Sequence, residues 1–330
     1  PTTVSEVNVL RRNGTVSAGE YLSFLQHCRD GNYWHRWAMR ALLVLGAGHF
    51  LAGVVFFFAY NWDDLSPFTK FAILEFAILG SFIAALVLRI EKPAGQAMLI
   101  AASVFTGVLL AVVGQTYQTG ADAWELFAAW AALVVPWVIA SRSSAHWFFW
   151  IVLCLTAFSF YGEQRLVALG RIDREMLIAI AGVLPVLFLA LRELALEKGL
   201  EWLRANWFRR GLVLISMTVL FTQAIMFVFG SDSGFFGFMA FVLVSVALSY
   251  VYAKELPDFS IIAIVTGLVA LVAMAFGGRV IHEVIGFDDG AGELVFSLLL
   301  LGGWCALLTS VSVRLLNALH GQLHPGESNE

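Results

Sequence analysis

The chain has 330 residues, of which 60% are hydrophobic and 13% charged, with a mean hydropathy of +0.82. A water-soluble domain of that size could not keep so much apolar surface from solvent, so lipid is its medium. A formal net charge of -4 excludes a basic nucleic-acid-binding surface, and the widely spaced Cys28, Cys154 and Cys305 point to no disulfide, metal site or cofactor.

Residues 1–37 read as a cytoplasmic helical segment. Val4, Val7 and Leu10 share a helical face before the Asn13-Gly14 stop. Ser17 then opens a second helix, with Glu20 three residues later completing a capping box and Tyr21, Leu22 and Leu25 forming its apolar side. Arg11 and Arg12 are not followed by an apolar stretch with a cleavage pattern at signal-peptide distance, so the first hydrophobic helix is expected to remain as an anchor.

A hydrocarbon core of about 30 Å needs roughly 20 apolar residues in a helix. That ruler predicts ten spans, at 38–60, 68–89, 96–116, 122–140, 145–161, 176–192, 211–229, 233–252, 259–277 and 292–312. The expected architecture is an all-α polytopic membrane protein. A first helix group covers 38–192, a linker 193–210, a second group 211–316 and a tail 317–330. Within the linker, Leu196, Leu200, Leu203 and Trp207 fall on one stripe against Glu197, Lys198, Glu201 and Arg204, the pattern of an interfacial helix over 193–207. Trp34, Trp37, Trp62, Trp124, Trp147 and Trp150 sit near span ends, where indole rings settle among headgroups.

An even number of spans leaves both termini on one side. With the N-terminus cytoplasmic, 15 basic residues face the cytoplasm and 5 the opposite side, which favours that orientation by the positive-inside rule. The outer face then carries 12 acids.

Glu75 stands out, inside the second span in an otherwise apolar run. A carboxylate there costs a few kcal/mol or more unless paired, hydrated or protonated, so it is either a proton or cation site or a hydrogen-bonded tie between helices. His49, midway along the first span, is within reach of a proton relay with Glu75; the alternative is an imidazole bonded to a backbone carbonyl. Gln115 and Gln223, near the outer ends of the third and seventh spans, make with Glu75 a polar outer half that suits an outward-facing vestibule. As bridges between neighbouring helices they would instead contribute about 0.6 kcal/mol each. Asp122 and Glu125 open the fourth span, where acids complement the helix dipole. Asp288 and Asp289, with Glu283 and Glu293, lie in a loop without calcium-loop spacing. Gly107 with Ala111, and Gly46 with Ala47, permit close helix approach, while Pro136 and Pro185 interrupt their spans. No nucleophile with its base, paired catalytic acids, phosphate loop or metal-ligand cluster stands at interpretable spacing, so an enzyme is not expected.

Two patterns carry a resemblance. Phe58-Ala59-Tyr60-Asn61-Trp62-Asp63 closes the first span, and Gly114-Gln115-Thr116-Tyr117 is followed by Leu126-Phe127-Ala128-Ala129-Trp130 and Pro136. With the two-helix start around Gly14 and Ser17, residues 5–145 resemble a bacterial family of predicted membrane proteins known as domain of unknown function 2157. The resemblance implies a polytopic bacterial inner-membrane protein and assigns no activity, cofactor or site. On physical grounds Asn61 is suited to cap a helix end, Trp62 to anchor at the interface, and Gln115 and Tyr117 to close the third helix against them. Asn61, Trp62, Asp63, Tyr117, Asp122 and Glu125 are therefore candidates for an outer gate or docking surface.

Two functions follow. One is a transporter or channel for a small cationic or polar solute, with Glu75 as coupling acid and an acidic outer vestibule. The other is a non-catalytic scaffold or sensor subunit that meets a protein partner at its periplasmic loops or at residues 1–37. The bilayer is the other expected partner, and nucleic acid is not one.

Overall fold

A computed structural model of the chain describes residues 64–230, 234–285 and 291–323, together with Ser17, Glu20, His35, Ala38, Met39, Leu42, Leu45, His49 and Phe56. The chain divides into two compact units, residues 1–70 with 329–330 and the helical bundle of residues 71–328.

In the first unit, the Ser17 N–H and hydroxyl both donate to the Glu20 carboxylate, at 3.0 and 2.9 Å, and the Glu20 N–H donates back to Ser17 Oγ at 3.3 Å. This is the reciprocal capping box that the Ser-x-x-Glu spacing predicts. The described positions of the predicted first span, Ala38, Met39, Leu42, Leu45, His49 and Phe56, are helical; the rest of that span lies outside the described residues. Ser66 precedes the next helix and accepts the Thr69 N–H on its hydroxyl at 3.2 Å, and Pro67 occupies the first helical position, where its missing N–H costs nothing.

Among the described residues there are nine helices long and apolar enough to cross a membrane, and no strand. They are α1 (Pro67–Val87), α2 (Pro93–Tyr117), α3 (Ala123–Ser141), α4 (Ser144–Tyr161), α5 (Arg174–Glu197), α6 (Asn206–Val228), α7 (Phe235–Tyr250), α8 (Phe259–Ile285) and α9 (Ala291–Leu323). Each matches a predicted span, and most extend beyond it, because helical backbone continues past the apolar run into the polar boundary. α4 and α7 each end in a π-helical turn, Gly162–Val167 and Val251–Glu255.

Neighbours in sequence pack together from α2 to α9, and α6 is the hub, touching α4, α5, α7 and α8. Its Leu212, Val213, Met217, Leu220 and Ala224 are fully buried, and their spacing of one, three or four residues defines the helix's inward face. α9 packs chiefly on α8. Trp304 of α9 lies over Gly277, where an added Cβ would stand 2.0 Å from the indole nitrogen, and its N–H donates to the Ala273 carbonyl at 3.0 Å.

The expected interfacial helix over 193–207 is not one element. α5 runs on to Glu197, Gly199 turns left-handed with φ 86°, a 3-10 turn spans Glu201–Leu203, and α6 starts at Asn206. Glycine adopts that conformation without the steric cost other residues carry. Leu203, counted on an interfacial stripe, is buried in the core with Phe208 and Leu212. The 193–210 linker is thus a packed helix-to-helix turn.

Candidate functional site

Glu75 lies eight residues into α1, about 12 Å along the helix. Among the described residues its side chain is exposed, on the same outward stripe as Leu79 and Ile83. His49 Nδ1 donates to the Leu45 carbonyl at 2.8 Å, the backbone-bonded alternative of the two readings for that histidine. Asn61, Trp62 and Asp63 lie outside the described residues, as do Asp288 and Asp289.

Gln115 is exposed near the end of α2. Gln223 is the opposite case, only 2% exposed where the last turns of α6 pack on the start of α7. Its aliphatic carbons lie where a Cβ at Gly237 would be, 2.2 Å away, and its Oε1 has no hydrogen-bond partner among the described residues. The two amides therefore do not share a vestibule. Tyr117 is exposed and its ring stacks on Phe71 at 6.0 Å.

Asp122 and Glu125 do open α3, but their carboxylates turn to a partner the sequence reading did not pair with them. Arg165, in the π-helical turn after α4, reaches Asp122 at 2.9 Å and Glu125 at 4.0 Å. The adjacent Gln164 accepts the Trp124 N–H at 3.3 Å, and Glu163 holds Arg174 at the start of α5. One irregular turn thus docks the beginnings of α3 and α5 onto the end of α4. At the same end of the bundle, Arg279 of α8 donates to the Val228 and Phe227 carbonyls at 2.6 and 3.3 Å, while pairing with Glu283. A guanidinium there complements the negative end of the α6 dipole.

Two buried polar networks were not anticipated. In the first, Ser103 Oγ of α2 and His146 Nε2 of α4 are 2.8 Å apart, with both residues 0% exposed. Ser103 Oγ also donates to the Leu99 carbonyl at 3.0 Å, and Trp130 Nε1–H of α3 donates to the Ser103 carbonyl at 2.7 Å. A hydroxyl and an imidazole at this distance have the spacing of a nucleophile and its base; here both are 0% exposed and, with Trp130, tie three helices together. With the Ser103 hydroxyl donated to Leu99, the imidazole is the donor at Nε2, which leaves Nδ1 as the ring's unbonded acceptor.

The second network joins the opposite ends of α5, α6, α7 and α8. Arg192, buried at the end of α5, donates to the Leu203 carbonyl at 2.9 Å and the Ala205 carbonyl at 3.3 Å, and pairs with Glu193. Tyr252, in the π-helical turn after α7, donates its hydroxyl to Glu193 at 3.4 Å. Asp258, whose side chain is 1% exposed, receives Arg209 at 2.7 Å and Arg210 at 3.1 and 3.2 Å, and accepts the Ser260 N–H at the start of α8 at 3.0 Å. The signal for this network was present as charges flanking spans, but such charges read equally well as solvated ends.

An apolar groove of about 480 Å³ runs between α8 and α9, lined by Phe276, Val280, Leu299, Leu300, Trp304 and Leu307 among others. It offers hydrocarbon contact and no polar recognition.

No curated protein and no solved structure matches the chain. Residues 9–147, which hold the capping box, α1 to α3 and the Ser103–Trp130–His146 tie, match the family model described as predicted membrane protein (DUF2157), the family that the Asn-Trp and Gly-Gln-x-Tyr patterns suggest.

Proposed function

We propose that the chain is a non-transporting subunit of a bacterial cytoplasmic membrane, a scaffold or sensor with both termini in the cytoplasm. The supporting observation is a set of buried and half-buried polar groups in the described bundle that bond across to neighbouring helices. Ser103 with His146, Trp130 with the Ser103 carbonyl, Trp150 with the Ala131 carbonyl, Ser216 with the Gly182 carbonyl and Trp304 with the Ala273 carbonyl all make such ties. Gln115 and Gln223 point to different surroundings. A transport path needs polar groups converging on a common cavity. The orientation rests on the 15-to-5 split of basic residues.

The test is reconstitution of the full chain in sealed vesicles, followed by proton and monovalent-cation flux. The scaffold reading expects no flux above protein-free vesicles. Its positive arm places photo-reactive residues along 1–37 in native membranes and expects discrete protein adducts from a subset of positions. Adducts with lipid alone would count against it. A second reading, ion coupling, is favoured by Glu75, an acid inside a membrane span; flux that Glu75→Gln abolishes would establish it and remove the first.

A further inference from the structure

Asp258 is one carboxylate facing two guanidiniums. Its Oδ2 takes Arg209 at 2.7 Å and Arg210 Nε at 3.2 Å, while Oδ1 takes Arg210 at 3.1 Å and the Ser260 N–H at 3.0 Å. The triad therefore retains one positive charge, and it sits in the first turn of α6, where the helix dipole adds to that charge. Two neighbouring basic groups on the same end have acids of their own: Arg192 pairs with Glu193 and Arg204 with Glu201. Within this network the surplus belongs to Arg209 and Arg210.

The two arginines differ in where they point. Arg209 is 15% exposed and lies against the Tyr252 ring, facing the core, whereas the Arg210 side chain is 41% exposed. Arg210 stands at the edge of the outward stripe of α6 formed by Trp207, Leu214 and Thr218, all exposed. The opposite face of the helix is the buried core, so this stripe meets lipid. Trp207 marks the headgroup level and Leu214 the hydrocarbon, with Arg210 between them about 6 Å from the helix start. Arg210 gives Nε and one Nη2 hydrogen to Asp258, so Nη1 and the second Nη2 hydrogen form the remaining edge of its fork, which at that depth and beside the triad's surplus charge suits the two parallel hydrogen bonds of a phosphodiester.

We propose that Arg210 is the core of a binding site for the headgroup of an anionic phospholipid, whose phosphate completes the charge balance that Asp258 leaves open. Trp207 packs beside the glycerol region, and Arg209 holds Asp258 in place from the core side.

The experiment uses the full chain in nanodiscs of equal phosphatidylcholine and phosphatidylglycerol, with native mass spectrometry of the lipids retained on release. Wild-type protein is expected to keep phosphatidylglycerol several-fold over phosphatidylcholine. Arg210→Gln should bring the ratio to parity, while Arg165→Gln, at the other end of the bundle, should leave it unchanged. Retention of the preference in Arg210→Gln would overturn the proposal, as would equal retention of both lipids by the wild type. Displacement of phosphatidylglycerol by millimolar inorganic phosphate, with phosphate bound in its stead, would make a soluble anion the ligand and reject the lipid. If Arg210→Gln does not fold, Arg210→Lys decides: loss of the fork with the charge kept should lower the enrichment, and an unchanged ratio overturns the site.

Discussion

Trp130 of α3 lies flat against Gly107 of α2, so that a Cβ placed on the glycine would stand 2.2 Å from the indole ring. The same indole donates to the Ser103 carbonyl one turn earlier on α2. Ring position is thus fixed by a hydrogen bond at one edge and by a missing side chain at its face. Small residues serve this purpose in membrane bundles, where close approach substitutes for a hydrophobic driving force.

Gly107→Ala should therefore destabilise the bundle by about 1–3 kcal/mol, the usual cost of overpacking, read as a lower thermal midpoint in nanodiscs. Trp130→Phe removes the indole's second ring and its hydrogen bond, so the double variant should lose less than the two singles together. Strict additivity would mean that the two residues do not press on each other.

The Ser103–His146 bond lends itself to a double-mutant cycle with Ser103→Ala and His146→Phe. Hydrogen bonds between transmembrane helices average about 0.6 kcal/mol and reach about 1.7, and this one, fully buried between α2 and α4, should show coupling within that range. An absent coupling would reduce the pair to simple proximity. Nitrogen NMR of the imidazole checks the tautomer separately, with the proton expected on Nε2.

Nearly all the spans were legible in the sequence, because hydropathy over about 20 residues measures the same burial in lipid that forms them. The Ser17–Glu20 box was legible for the same local reason: both partners lie within one turn. The linker is not legible, because the helical stripe of Leu196, Leu200, Leu203 and Trp207 runs straight through Gly199, where the backbone reverses to φ 86°. The buried networks were out of reach because they close over 43 residues between Ser103 and His146 and 48 between Arg210 and Asp258. Nothing local to either partner distinguishes a charge that folds inward from one that stays wet. Gln223 reads as intramembrane from hydropathy, but only packing shows it enclosed against Gly237 rather than lining a vestibule.

Asp258→Ala should be among the most damaging single substitutions in the chain. It strips the carboxylate from Arg209 and Arg210 and the cap from α8 at once, and removing one member of a buried ion pair costs about 3–5 kcal/mol. Because Arg210 is partly exposed, solvent and headgroups screen its share, which puts the loss toward the lower end. The triple variant Arg209→Met, Arg210→Met, Asp258→Leu removes the charges together and should recover much of the thermal midpoint. A triple variant no better than Asp258→Ala would show that the cap, not the charge pairing, is what the residue supplies.

Glu20 gives the chain a pH-dependent element away from the membrane. Its carboxylate accepts the Ser17 N–H and hydroxyl, and these bonds, the backbone one first, hold its pKa below the ordinary 4.5. A carboxyl whose folded-state pKa is depressed binds protons less readily when folded than when unfolded. Its contribution to the helix start is therefore fully present above the ordinary value and lost as the pH falls through the lowered one. The side chain is fully exposed, so the effect is local fraying rather than global unfolding. Carbon NMR of the Glu20 carboxyl in the full chain should give a midpoint below 4.5, and Ser17→Ala should return it toward that value by removing the hydroxyl while leaving the backbone donor. A midpoint unmoved by Ser17→Ala would leave the backbone N–H as the whole cause, and a midpoint at or above the ordinary value would mean that the box does not form in solution.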